Sequence, residues 1–74
     1  MTSDIEVTRR AYSTVFYATE LGIRTAEVVR DDDGEGWDVR CYYGPEDYDD
    51  TVRSSRSRER AEDVALAHSL VLLR

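Results

Sequence analysis

Residues 3–20, SDIEVTRRAYSTVFYATE, decide the fold, because they can be read either as a helix or as a strand with its turn. Val7, Thr8, Tyr12, Thr14, Val15, Phe16 and Tyr17 are β-branched or aromatic and favour a strand. The spacing argues the other way. Ser3 and Glu6 have capping-box spacing. Ile5, Thr8, Ala11, Tyr12, Val15, Phe16 and Thr19 fall on one helical face, and Glu6, Arg9, Arg10, Ser13, Tyr17 and Glu20 on the other. Glu6 and Arg10 are one turn apart, and Gly22 stands where a helix-ending glycine belongs. Period and caps predict a helix over 3–20. The alternative is a strand over 11–18 that hairpins at Glu20, Leu21 and Gly22.

Downstream the pattern changes to strands. Residues 25–30, TAEVVR, and 37–43, WDVRCYY, are joined by the hairpin-length loop DDDGEG. Alternation sends Trp37, Val39, Cys41 and Tyr43 inward and Asp38, Arg40 and Tyr42 outward. Gly44-Pro45-Glu46-Asp47 reads as a β-turn, and residues 48–53 as a third, shorter strand. Residues 57–74 form the clearest helix. Ser57 is its N-cap, Glu59, Glu62 and Asp63 suit the positive end of its dipole, and Ala61, Val64, Ala65, His68, Val71 and Leu72 form its apolar face. Leu66, Leu70 and Leu73 fall outside that face. They await either the chain's own N-terminal segment or a second contact, such as another copy in a homodimer.

The expected architecture is one α+β domain over residues 1–74, α-β-β-(β)-α, with a short antiparallel sheet and the C-terminal helix packed on it; the alternative is β-β-β-α. The element order, with Ser54, Ser55 and Ser57 leading into an Ala-containing last helix, resembles the layout of double-stranded-RNA-binding domains. That resemblance implies a basic cluster at the start of the last helix. Here Arg58 matches its first position, but Glu59 and Glu62 occupy the approximate places of the others, and the loop between the first two strands is acidic. Direct binding of nucleic acid is therefore not expected.

The 74 residues carry 16 acidic and 10 basic side chains, every base is Arg, and the net charge is −6, which disfavours nucleic acid and anionic membrane as default partners. No apolar run has the length of a transmembrane helix. The lack of a signal-like N-terminus and the single cysteine, Cys41, predict a cytoplasmic protein.

Nine carboxylates between residues 31 and 50 face one base, Arg40. Asp31, Asp32, Asp33, Glu35, Tyr42, Glu46, Asp47, Tyr48, Asp49 and Asp50 are the candidate partner-binding residues. The two acidic loops are expected at opposite ends of the strand between them. Asp31, Asp33 and Glu35 have calcium-loop spacing, but position 12 is Tyr42, so no metal site is expected. Arg53, Arg56, Arg58 and Arg60 are the candidate phosphate contacts, and Leu66, Leu70 and Leu73 the candidate self-association residues. His68 and Cys41 read as core residues. With one His, one Cys and no Gly-rich phosphate loop, neither a catalytic constellation nor a cofactor is expected. The sequence points to a non-enzymatic module that engages a basic protein surface, such as a nucleic-acid-binding protein or complex. By analogy, small acidic inhibitors and nucleic-acid mimics of the phage or mobile-element type work in this way. The alternatives are a nucleic-acid-binding module using the arginine stripe and a structural homo-oligomer.

Overall fold

The computed structural model describes residues 5–31, 35–44 and 48–73, and of residues 48–54 the backbone alone. Five strands, β1 (Ile5–Arg9), β2 (Ser13–Ala18), β3 (Ile23–Arg30), β4 (Trp37–Tyr42) and β5 (Tyr48–Ser55), form an antiparallel meander in the order β1-β2-β3-β4-β5. The helix α1 (Arg58–Leu72) packs on one face of this sheet, most heavily on β3 and β4. The chain is thus a small α+β domain with an antiparallel sheet and a C-terminal helix on it.

The helix expected over 3–20 is instead the hairpin β1–β2, with Val7 opposite Phe16. Strand propensity prevails because β2 lies between β1 and β3 and delivers Phe16 to the core, while Thr14 and Ala18 are buried on the same side. The alternative reading, a strand over 11–18 that hairpins at Glu20, Leu21 and Gly22, is close to what forms: β2 ends at Ala18 and β3 starts at Ile23. Gly22 has φ 68° and donates its N–H to the Ala18 carbonyl at 2.9 Å. A left-handed glycine ends helices and closes hairpins alike, so its presence did not discriminate between them. Without an N-terminal helix, the layout behind the resemblance to double-stranded-RNA-binding domains is not present. Ser3 lies outside the described residues.

The faces of β4 follow the expected alternation. Val39 pairs with Val28 and Cys41 with Ala26, beneath α1, and Trp37 and Cys41 pack against the core of Phe16, Ala26, Val28, Val39, Ala61 and Ala65. On α1 the buried seam is Ala61, Ala65 and Ser69, spaced four residues apart. Small side chains let the helix approach closely, and Thr25 Oγ1 lies 2.6 Å from Ser69 Oγ. Val71, expected on this seam, is exposed. Ser57 is the N-cap and accepts from the Arg60 N–H at 3.3 Å. Among the described residues α1 is the one helix, and none of them forms a layer on the opposite face of the sheet. Among the described residues, no helix is long and apolar enough to cross a membrane.

Candidate functional site

The two ends of the sheet differ in chemistry. At the first, the β1–β2 turn, the ends of β3 and β5 and the start of α1 come together. The turn at Arg10–Ser13 contains no Gly, Pro, Asn or Asp. It is held from outside: the Arg58 guanidinium donates to the carbonyls of Ala11 (3.1 Å), Ser13 (3.0 Å) and Arg10, and to Thr14 Oγ1 (3.0 Å). The same group stacks 4.5 Å above the Trp37 ring, and Arg30 lies over both Trp37 and Tyr12.

Glu62, one turn beyond Arg58, collects the adjacent donors. Its Oε2 accepts from Thr14 Oγ1 at 2.6 Å and from Arg9 Nε at 2.9 Å, and lies 3.5 Å from Arg58 Nε. Burial by itself raises the Glu62 pKa. The bonds from Thr14 and Arg9 and the charges of Arg9 and Arg58 outweigh that and hold the carboxyl below its ordinary value.

The candidate phosphate stripe is therefore not one surface. Arg58 is spent inside the fold, Arg56 and Arg60 are exposed, and the Arg53 side chain lies outside the described residues. The acidic loop shares this end. Asp31 is half-buried, its N–H donating to the Gly36 carbonyl at 2.8 Å, and Glu35 is exposed. Asp32 and Asp33 lie outside the described residues.

At the other end, Tyr42 of β4 and Tyr43 just beyond it exchange their expected roles. Tyr42 points to the uncovered face as alternation requires, yet it is only 9% exposed. The Arg24 guanidinium lies 5.6 Å over its ring and donates to its hydroxyl at 3.4 Å. Arg24 also pairs with Glu27, which Arg40 reaches from β4 at the same distance of 3.7 Å. Tyr42 is thus removed from the set of solvent-facing contact residues. Tyr43, expected inward, is 56% exposed because it lies one residue past the end of β4. Its ring meets His68 edge-on at 4.9 Å, and His68 Nε2 lies 2.7 Å from the Tyr42 carbonyl. His68 is a half-buried packing residue of α1. Glu46 and Asp47, and the side chains of Tyr48, Asp49 and Asp50, lie outside the described residues.

The remaining features offer little chemistry. An open hollow of about 420 Å³ on the uncovered face is lined by Val15, Tyr17, Arg24 and Tyr42, but its one cation is already engaged. Among the described residues, no three of His, Cys, Asp and Glu gather as metal ligands would. Leu66 and Leu70 are exposed and Leu73 is half-buried, so β1–β2 does not cover them as a wrapping N-terminal segment would. The capture of the turn by Arg58 carried no sequence signal, since it joins residues 44 or more apart in the chain. The chain matches no family model, no curated protein and no solved structure.

Proposed function

We propose that this protein is a non-enzymatic, cytoplasmic protein-binding module whose acidic β4–β5 end docks on a basic protein surface. One observation carries the reading: Tyr43 stands exposed at that end, braced edge-on by His68, immediately before a stretch with Glu46, Asp47, Asp49 and Asp50. An exposed, braced aromatic ring beside surplus negative charge is the composition of an interface anchor with an electrostatic rim. Arg24 and Arg40, on β3 and β4, both pair with Glu27. A nucleic-acid-binding protein is the partner class that fits best, since its surface is built to meet negative charge.

The test is affinity capture from host lysate after nuclease treatment, using the native chain, Tyr43→Ala, and a triple reversal of Asp47, Asp49 and Asp50 to Arg. A stoichiometric protein partner is expected, weakened about tenfold or more by Tyr43→Ala and lost with the triple reversal. A partner held equally well by the folded triple variant would refute the acidic docking surface.

A further inference from the structure

We propose that the docking surface runs from Tyr43 over the last two turns of α1, and that the partner lays a basic amphipathic helix on it. This rests on the reading of the β4–β5 end as the docking surface.

The first observation is a change of character along α1. Its exposed residues are Glu59, Arg60 and Asp63 in the first half, and Leu66, Ala67, Leu70 and Val71 in the second. The outer side of a surface helix is normally polar along its whole length. Here it turns apolar, with Leu70 51% and Val71 59% exposed. The inner side of the same turns is already filled: Ala65 and Ser69 are buried, and the Ser69 hydroxyl meets Thr25. The four outer side chains are therefore left over from packing on the sheet.

The second observation is where this band lies. Val71 follows His68 by three residues, a spacing that makes side chains neighbours on a helix. His68 meets the Tyr43 ring at 4.9 Å, so the band continues to Tyr43. The segment that follows Tyr43 brings Glu46, Asp47, Asp49 and Asp50 and no base. An apolar band thus borders a run of negative charge.

These features select the occupant. Leu66 with Leu70, and Ala67 with Val71, form two adjacent rows of four-residue spacing, and such rows interlock with the same rows of another helix. The acids at one margin call for bases on the matching margin of that helix. A basic amphipathic helix meets both conditions. The α1 of a second copy meets only the first, because among its exposed residues Arg60 is the one base, against Glu59 and Asp63.

Fluorescence anisotropy on the full chain tests this in about 0.15 M salt. The probe is a labelled peptide of leucine and lysine, about 18 residues or five turns long, with its leucines on one helical face. The control has the same residues in an order that scatters the leucines, so its charge is unchanged. The amphipathic peptide should bind at least about tenfold more tightly than the control. The double variant Leu70→Gln, Val71→Gln should lose about tenfold or more of that affinity. Its urea midpoint should stay close to the native value, because both side chains are exposed and Gln is a good helix former. Equal affinity for the two peptides overturns the proposal, and so does undiminished binding by the double variant. A mass that doubles without peptide, and no longer does so in the double variant, assigns the band to a second copy and also overturns it. The peptide assay needs no host partner, so it is judged apart from the lysate capture. A captured partner that is lost with the Asp47, Asp49 and Asp50 reversal but kept by the double variant leaves the acidic docking surface standing and overturns this extension of it.

Discussion

Arg58 is the side chain whose loss should be felt most widely. Its side chain is only 16% exposed, yet it reaches the carbonyls of Arg10, Ala11 and Ser13, the Thr14 hydroxyl and the face of Trp37. In Arg58→Ala, water takes over part of the carbonyl bonding at the exposed turn, leaving a net loss of about 1.5 kcal/mol for those bonds. The stack over Trp37 and the contact with Glu62 add about 1–2 kcal/mol. The sum is about 3 kcal/mol, against a stability of roughly 4–11 kcal/mol for a domain of 74 residues. With a urea slope near 1 kcal/mol/M for so small a domain, the midpoint should fall by about 3 M. Equilibrium urea unfolding followed by fluorescence of Trp37, the single tryptophan, measures this directly. Arg58→Lys should recover less than half of the loss, since an ammonium cannot present several donors in a fixed plane. A loss in Arg58→Ala below about 1 kcal/mol, with the β1–β2 pairing intact, would show that the turn forms without its clamp.

Two further perturbations read separate parts of the same fold. The folded-state pKa of Glu62 lies below its unfolded value of about 4.3, so its contribution is fully present above that value and is lost as pH falls through the folded pKa. The urea midpoint of Glu62→Gln should lie below that of the native chain at pH 7, and the gap should narrow below about pH 4; a gap independent of pH would contradict the assigned network. Gly22→Ala meets no atom within 4 Å, so its cost is backbone strain alone at φ 68°, about 1–2 kcal/mol in chemical denaturation; no change would place Gly22 outside the left-handed region.

The sequence by itself determined the C-terminal helix, its Ser57 cap, its alanine seam and the alternation of β4, because each is set by neighbours within a few residues. It also set the net charge of −6. It could not decide residues 3–20, where helical spacing and strand propensity pointed in opposite directions. Only the assembled fold resolved that, because β2 gains a partner on each side and Phe16 gains a core, while Arg58, 44 or more residues away, supplies the donors that hold the turn. Tyr42 and Tyr43 teach the same lesson. Period-two alternation fixes which face a residue takes, but exposure depends on what lies over that face. Arg24 from β3 covers Tyr42, and the strand's end frees Tyr43. Local sequence sets direction and propensity, and long-range packing decides which surfaces are left for a partner.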